Sequence, residues 1–332
     1  MALPRQPRGK LVCCIDIGGT KLLSALCDVD AKVLGRKLEE TPEAGGIAPV
    51  LDAVAASIEE LITWCGADRS SILGVGVAAA GPTDPNTGVV LQAPNLPGWQ
   101  DVPVAQLLES RLGLPTYVDN DADLAALGEH VYGAGKNADP MIYITLSTGI
   151  GAGLIIGGEV YRGYDGSAGE IGHILLDPRG PRGRCGHRGC LESLASGVAL
   201  ADRAREALER GEVPEDSPLM KEKPDQISAR SVFRAAQAGD PACIDILSRG
   251  SEYLGLALVI VANLLNPQMV VLGGGLSTQW DAYVVPALET MRRNLFPRSK
   301  AGPNVVPAKL GGDSSVLGCV AMVQRRSVSV GT

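Results

Sequence analysis

Three separate segments of this chain run from apolar, β-branched residues directly into a glycine-rich turn, and this recurrence constrains the fold more than any other feature. Residues 14–21 read CIDIGGTK, residues 142–156 read IYITLSTGIGAGLII and residues 269–277 read MVVLGGGLS. A short apolar run that ends in glycines predicts a buried strand followed by a tight turn. Three such strand ends predict three walls of one nucleotide site in an α/β protein.

The first of these turns carries the residue types that a phosphate site requires. Its glycines allow close backbone approach and positive φ, while backbone N–H groups and the Thr20 hydroxyl can donate to an anion. Asp16 can lie near an accompanying cation. A plain hairpin would also use two glycines, so the octet alone leaves both interpretations open. The sequence has no Walker A string and no Gly-x-Gly-x-x-Gly that opens a helix after a strand, which excludes P-loop and Rossmann sites.

Four further motifs occur between and beside the glycine turns: NLPGW at 95–99, DNDAD at 119–123, GEIGH at 169–173 and CGHRGCLE at 185–192. With the turns, this ordered set resembles the ROK family of sugar kinases and repressors, especially its glucokinases, from about residue 11 to residue 325. The resemblance implies a duplicated actin-like ATPase (ribonuclease H-like) α/β fold with two domains and a cleft between them.

The length and the helical patterns agree with two domains, because 332 residues exceed the usual size of a single core. Apolar spacing predicts helices near 50–65, 191–210, 229–238 and 241–265, and buried strands at 73–80 and 269–272. The resemblance places the first domain at residues 1–119 plus about 314–332, since the final helix of the family crosses back, and the second at 120–313. The proline-bearing segment 211–225 is predicted to be an exposed loop.

The DNDAD motif is the candidate catalytic centre, because phosphoryl transfer to a sugar hydroxyl requires a carboxylate that takes the proton. It offers three carboxylates between an extended run and a helical run. A helix N-cap is the alternative role for any of them, and we favour that role for Asp123. The resemblance implies that Asp121 is the general base and that Asn120 holds neighbouring sugar hydroxyls.

The resemblance also assigns the ligand residues. Asn95 lies in a Pro-Gly loop that could serve only as a turn, but the same string occurs in ROK glucokinases with its Asn on the sugar. The implied sugar contacts are Gly81, Asn95, Asn120, Asp121, Glu170, His173 and Glu192. The implied contacts to ATP and Mg²⁺ are Asp16, Gly18, Gly19, Thr20, Lys21, Thr148, Gly149, Gly273, Gly274 and Gly275. The resemblance further implies a homodimer or homotetramer.

The metal loop departs from the family pattern, which has one histidine and three cysteines around a structural zinc. Gly183 stands where the first cysteine would be. His173, Cys185 and Cys190 remain as zinc ligands, and His187 inside the loop is a candidate fourth donor. A reduced cysteine pair that packs as small hydrophobic residues is the alternative.

Composition and sequence pattern exclude several classes of protein. A net charge of −7 argues against a nucleic-acid surface, which needs clustered Lys and Arg. Residues 1–10 lack the apolar core of a signal peptide, which predicts a cytoplasmic protein with reduced cysteines. The uncharged stretch Tyr253–Trp280 is interrupted by Asn266 and Pro267, so we predict a buried helix and strand there and no membrane span.

The sequence therefore predicts ATP- and Mg²⁺-dependent phosphorylation of a hexose at its 6-hydroxyl, with glucose as the first candidate. N-acetylmannosamine, fructose and mannose are the alternative sugars, and polyphosphate is the alternative donor. A ROK repressor would need a helix-turn-helix domain, for which about 15 residues before the first turn are too few. A noncatalytic sugar sensor is the alternative from a different class.

Overall fold

A computed structural model describes residues 9–42, 46–93, 95–183, 185–297 and 302–329. The terminal residues 1–8 and 330–332 of the predicted first domain lie outside this range. The chain divides into two compact units. Unit 1 comprises Met1–Ala138, Gly153–Ala168 and Ala308–Thr332, and unit 2 comprises Asp139–Ala152 and Gly169–Pro307. Residues 120–138, 153–168 and 308–313 thus group with the N-terminal segment, whereas the sequence interpretation assigned them to the second domain.

The strands of the described residues form three sheets. The strands are β1 Leu11–Ile17, β2 Lys21–Asp28, β3 Val33–Glu40, β4 Ile72–Ala79, β5 Thr83–Asp84, β6 Val89–Gln92, β7 Gln100–Val102, β8 Thr116–Asn120, β9 Met141–Leu146, β10 Ile150–Ile156, β11 Glu159–Val160, β12 Met269–Gly273 and β13 Asn304–Pro307. The first sheet has the order β3-β2-β1-β4-β8, the second β11-β10-β9-β12-β13, and a small third sheet β5-β6-β7.

The two five-stranded sheets share one plan. In the first, β1 pairs antiparallel with β2 and parallel with β4, which pairs parallel with β8. In the second, β12 lies between β9 and β13 and is parallel to both. Each sheet therefore joins a glycine-turned hairpin to two parallel strands, as expected for a duplicated fold.

The four helices that apolar spacing predicted are present, with sharper ends, beside others that it did not predict. They are α1 Ile47–Trp64, α2 Val104–Leu112, α3 Asp121–Val131, α4 Leu191–Ala195, α5 Gly197–Glu209, α6 Ala229–Gln237, α7 Pro241–Leu265, α8 Val285–Asn294 and α9 Ser314–Ser329. The predicted helix at 191–210 is divided in two at Ser196, whose side chain caps α5. No helix in the described ranges is both long and apolar enough to cross a membrane.

Helix α7 shows how local residues set helix boundaries. The Asp240 side chain accepts hydrogen bonds from the N–H groups of Ala242 and Cys243, and Pro241 occupies the first helical position, where its missing N–H costs nothing. The helix ends at Asn266, which adopts the left-handed conformation with φ 45°. Pro267 follows and cannot continue the helix.

Helices α3 and α9 of unit 1 pack at unusually close range, and two glycines permit the approach. A Cβ added at Gly318 would lie 1.8 Å from the Leu124 carbonyl oxygen, and one at Gly128 would lie 2.1 Å from the Ser314 carbonyl oxygen. Both distances are far below van der Waals contact, so no side chain fits at either position. The predicted C-terminal helix is therefore an integral part of unit 1.

The segment 211–225 is not the fully exposed loop that the sequence predicted. It contains a short 3₁₀ turn, Pro218–Lys221, in which Leu219 is buried. The Ser217 hydroxyl donates to the Asp240 carboxylate at 2.6 Å, which connects the segment to the start of α7. Its prolines initiate turns, as expected, but the side chains of Ser217 and Leu219 in the segment are buried.

Candidate functional site

The parallel strands of the first sheet place three predicted site segments at the same edge. Ile17 at the end of β1 pairs with Ala79 at the end of β4, and Ala79 pairs with Asn120 at the end of β8. The first glycine turn, the turn at Gly81 and the start of α3 follow these three residues directly. Carboxyl ends of adjacent parallel strands are the usual position for ligand sites in α/β sheets.

The first glycine turn is a closed hairpin. The Gly18 N–H donates to the Lys21 carbonyl at 2.9 Å, and the Thr41 hydroxyl donates to the Gly18 carbonyl at 2.7 Å. Neither Gly18 nor Gly19 has positive φ, so that part of the expectation was wrong. Gly19 is required for a different reason, because a Cβ there would lie 2.6 Å from the Asn95 Cβ. Thr20 and Lys21 are exposed.

Asn95 therefore belongs beside the first glycine turn. Its loop is closed by hydrogen bonds from the Ala93 N–H to the Trp99 carbonyl and from the Trp99 N–H to the Leu96 carbonyl. Trp99 is buried, whereas Asn95 is exposed. The buried indole anchors the loop and leaves the Asn95 amide accessible, as a sugar-binding role requires.

Asp16, one residue before the end of β1, is partly buried. Its Oδ2 accepts a 2.6 Å hydrogen bond from the Ser315 hydroxyl in α9. Burial raises the pKa of the Asp16 carboxyl, and the Ser315 bond opposes this shift. A magnesium ion, or water molecules bound to it, would stabilise the charged form that burial disfavours.

Because Asp16 is partly buried, we expect Asp16→Asn to raise the stability of the protein and to lower its activity. Because the folded-state pKa is raised above its ordinary 3.8, wild-type stability falls as pH rises through the folded pKa. We expect the Asn variant to unfold at higher denaturant than wild type at pH 7.5, with the difference vanishing below about pH 4. We expect its kcat/KM for the magnesium nucleotide to fall about 10- to 100-fold. Denaturant melts at both pH values and steady-state kinetics test this. Lower stability at pH 7.5 would contradict it.

The DNDAD motif forms the junction between β8 and α3, and the structure separates its three carboxylates. The Asn120 side-chain oxygen accepts hydrogen bonds from the N–H groups of Ala122 and Asp123 at 2.9 and 3.2 Å, which makes Asn120 the N-cap. The prediction that Asp123 is the N-cap was wrong: it lies in the first turn of α3 and is buried. The Asn120 amide N–H donates to the Gly81 carbonyl at 3.0 Å, joining two predicted sugar residues.

Asp119 is not available as a base. It is 2% exposed, forms an ion pair with Arg162 and accepts a 2.9 Å hydrogen bond from the Asn120 N–H. Burial lowers the pKa of the Arg162 guanidinium, but the charge and hydrogen bond of Asp119, together with the charges of Asp123 and Glu159, outweigh burial and the net shift is upward. Asp121 is the first residue of α3 and is only partly buried. Of the three carboxylates, Asp121 therefore combines accessibility with a position at a helix N-terminus, which favours a carboxylate.

Sequence reasoning missed two contributors to this region, Arg162 and Ser315. Arg162 lies 43 positions from its partner Asp119, and Ser315 lies 299 positions from Asp16. Neither lies in a motif that we singled out for chemistry. The sequence did contain one indication of Ser315, the pair of serines at the start of the predicted final helix. Both serines are buried in the structure, where their hydroxyls need hydrogen-bond partners.

In unit 2, Glu192 organises the second glycine turn. Its Oε2 accepts a 2.9 Å hydrogen bond from the Ile150 N–H, and a Cβ at Gly149 would lie 2.4 Å from the same oxygen. A side chain at position 149 would therefore displace the Glu192 carboxylate from its bond to Ile150. The preceding Thr148 is exposed, and its carbonyl accepts the Val198 N–H at the start of α5 at 3.3 Å. The predicted phosphate residues and the predicted sugar residue Glu192 therefore adjoin.

The three glycines at the end of β12 and directly after it, Gly273–Gly275, have different surroundings. Gly273 pairs with Thr145 of β9, and a Cβ on it would lie 2.2 Å from the Tyr143 hydroxyl. Gly274 has φ 82°, and its Cβ would lie 2.4 Å from the Leu146 carbonyl oxygen. A Cβ at Gly275 would meet nothing within 4 Å. Packing requires the first two, so only Gly275 has open space for a ligand beside it.

The predicted metal ligands His173, Cys185 and Cys190 form one cluster. One ligand atom from each lies within 4.8 Å of the others, and the two Sγ atoms are 3.6 Å apart. Tetrahedral zinc with 2.3 Å bonds to sulfur places two thiolates about 3.8 Å apart, so the donors fit this metal. His173 Nε2 also lies 3.7 Å from Glu170 Oε2, which joins the cluster to a predicted sugar residue.

His187 does not complete this cluster. It is not among the grouped donors of the described residues, although the rest of its loop is close by. Gly183 is the residue that faces the sulfurs: a Cβ added there would lie 3.3 Å from the Cys190 Sγ and 3.4 Å from the Cys185 Sγ. The geometry therefore provides three protein donors and a neighbouring position without a side chain.

Comparison with known proteins identifies the family. Residues 12–326 match the ROK family. The chain belongs to the ROK family. A glucokinase of Halalkalibacterium halodurans is 34% identical over 317 residues, covering 95% of this chain and 96% of that protein. The crystal structure of a Streptomyces griseus ROK family glucokinase in complex with glucose and AMPPNP superposes with a TM-score of 0.81 at 33% identity, covering 95% and 99% of the two chains.

The family also contains regulators that resemble this chain. A putative xylose repressor of a Caldicellulosiruptor species is 36% identical over 278 residues, which cover 82% of this chain and 68% of the repressor. The expected fold class is confirmed, because ROK kinases with the actin-like ATPase fold superpose on nearly the whole chain. Identity over the common core is similar for kinases and repressors, so the chemistry at the site must distinguish them.

Proposed function

We propose that this ROK protein transfers the γ-phosphoryl group of ATP to the 6-hydroxyl of glucose. It is a sugar-kinase phosphotransferase, and the finer assignments of sugar and residues are the proposal. The observation that carries it is the junction of β8 and α3. There, Asn120 caps the helix, Asp119 is neutralised by Arg162, and Asp121 remains the accessible carboxylate. A protein that only senses sugar has no need of such a base.

In this proposal the residues of each unit take defined roles. Asp121 accepts the proton of the attacking hydroxyl, and Asp16 holds Mg²⁺ or its water ligands. Backbone N–H groups at the first turn, together with Thr20, Thr148, Gly149 and Gly275, contact the nucleotide phosphates. Asn95, Asn120, Glu170, His173 and Glu192 bind the sugar. Once a bound sugar covers them, polar groups of this kind reject sugars that lack a matching hydroxyl, because the protein groups would stay unpaired.

The experiment is ADP release with ATP and Mg²⁺ across glucose, mannose, fructose, N-acetylglucosamine and N-acetylmannosamine, with polyphosphate as a second donor. We expect glucose to give the highest kcat/KM. A higher value for another sugar would keep the kinase and replace the substrate. Sugar binding without turnover on any donor would support the regulator, to which the xylose repressor is similar.

We also propose that His173, Cys185 and Cys190 hold a zinc ion that orders the loop beside Glu170. Three protein donors are one fewer than a closed structural site has. When bound, zinc would keep the thiols deprotonated and fix the His173 ring. The loop would thereby hold a predicted sugar residue in place.

The incomplete donor set predicts that zinc can be removed easily and that a fourth thiol would prevent this. We expect protein purified without added zinc to lose the metal to EDTA. We expect Gly183→Cys, whose side chain would face both sulfurs, to retain it longer by at least about tenfold in half-life. Metal analysis during EDTA treatment is the measurement, with Gly183→Ala as the matched control. It adds the Cβ at the same position but no thiol. Wild-type protein that carries well below one equivalent of zinc from the start would contradict the site.

A further inference from the structure

Unit 2 contains a pocket of about 590 Å³ that none of the predicted ATP, sugar or metal residues lines. Its walls come from residues 179–181 and 188, from α5 and the residues after it, and from α7. Five arginines converge on it: Arg179, Arg188, Arg203, Arg210 and Arg249. Its three carboxylates are Glu206, Glu212 and Asp245. The pocket thus carries an excess of two positive charges in a chain whose net charge is −7.

The carboxylates do not neutralise all of the arginines. Arg210 pairs with Glu212 at 3.0 Å and Arg249 pairs with Asp245 at 2.8 Å. Within the described ranges, Arg179, Arg188 and Arg203 form no ion pair. Guanidinium groups on a protein surface usually find a carboxylate or remain fully hydrated.

Arg203 is neither paired nor fully hydrated. It is partly buried, and its guanidinium donates to the Leu194 carbonyl at 2.6 Å. Burial lowers its pKa and the positive charge of Arg249 lowers it further, whereas Tyr283, Tyr253 and the Glu206 carboxylate raise it; the net shift is downward. The protein therefore holds a cation in a partly dehydrated position with no ion pair among the described residues, which costs free energy unless a ligand supplies more negative charge than Glu206 does.

Phosphate is the anion that best matches these groups. A guanidinium presents two parallel N–H donors to two oxygens of a phosphate, and a phosphate monoester carries about two negative charges near pH 7. The volume exceeds that of one phosphate and lies within the range of about 300–1,000 Å³ for small-molecule sites. A carboxylate ligand would bring only half the charge.

We propose that this pocket is a second ligand site, which binds a small phosphorylated compound through Arg179, Arg188 and Arg203. The segment that carries Arg188 also carries Cys185 and Cys190. The proposal stands independently of the kinase activity, because no residue in it belongs to the predicted phosphoryl-transfer machinery.

Isothermal titration calorimetry of the full chain tests the proposal, with pyrophosphate and glucose 6-phosphate as separate probes. Glucose, Mg²⁺ and AMPPNP are present throughout to fill the proposed catalytic site. Pyrophosphate and the sugar phosphate distinguish a bare phosphate ligand from a phosphate ester. We expect at least one probe to bind, with an affinity that falls as salt is raised.

Two variants and one control locate the binding. We expect Arg188→Gln and Arg203→Met each to weaken the probe by about tenfold or more. Arg292→Gln, an exposed arginine on α8 that does not line the pocket, should leave affinity unchanged. Arg188 is exposed, so its variant should fold even if Arg203→Met does not. No binding of either probe at millimolar concentrations, or equal affinity in wild type and Arg188→Gln, would overturn the proposal.

Discussion

Asp121→Asn should lower kcat for sugar phosphorylation by about 10²- to 10⁴-fold, the usual contribution of a positioned general base. The amide has nearly the same shape but cannot accept the proton of the attacking hydroxyl. Asn120 caps α3 with its own side chain, so the fold should persist. The loss of one carboxylate near the helix N-terminus should cost only about 0.3–1 kcal/mol. Steady-state kinetics and a thermal melt separate the two effects.

Asp123→Asn is the matched control, because it removes a carboxylate from the same first turn of α3. Asp123 is buried, whereas Asp121 is only partly buried. We expect Asp123→Asn to lower stability more than Asp121→Asn does, while kcat changes by less than about tenfold. Equal losses of kcat in the two variants would refute the assignment of Asp121 as the base.

Glu129→Gln should destabilise the protein by about 2–5 kcal/mol, although it only replaces one carboxylate oxygen by an NH₂ group of similar size. Glu129 is fully buried, and each of its oxygens accepts two hydrogen bonds. Oε2 accepts from the N–H groups of Ala134 and Lys309 at 2.8 and 3.1 Å. Oε1 accepts from the Leu310 N–H at 2.8 Å and from the Ser314 hydroxyl at 2.9 Å.

A glutamine at position 129 cannot satisfy these donors, whichever way its amide is turned. Its NH₂ group would face either the N–H groups of Ala134 and Lys309, or the Leu310 N–H and the Ser314 hydroxyl, which can turn to accept. Each backbone N–H left buried without an acceptor costs about 1–3 kcal/mol, and the remaining hydrogen bonds lose their charged acceptor. Chemical denaturation measures the loss. Glu109→Gln is the control: its exposed carboxylate accepts one backbone N–H, from Thr116 at 3.0 Å, and its loss should cost less than about 1 kcal/mol.

This contact also connects stability to the site. Glu129 holds the start of α9 through Ser314, and the next residue, Ser315, donates to Asp16. We therefore expect the folded fraction of Glu129→Gln to show a raised KM for the magnesium nucleotide. A fully stable variant with unchanged kinetics would show that the carboxylate does not position this helix.

Local sequence patterns predicted part of the fold, and the final helix α9 came from the family resemblance. The strand ends marked by glycine and the end of α7 before Asn266 depend on residues within one or two turns of each other. The ordered motifs also identified the family, and the match extends over residues 12–326. Segment 211–225 was predicted less well, because turn residues indicate where the chain bends but not which of its apolar side chains become buried.

The amino-acid sequence specified the periodicity of the elements, the order of the motifs and the chemical types of side chain near the predicted site. Which of these side chains become buried, ion-paired or accessible depends on the fold. Asp119 is neutralised by Arg162, Asn120 rather than Asp123 caps α3, and Gly19 is required by Asn95. Burial and ion pairing could not be predicted from local patterns, because they depend on residues distant along the chain. Turns and helices depend on residues close together in the sequence. The sheet brings those distant residues to one edge, and no local sequence pattern predicts that they lie close together.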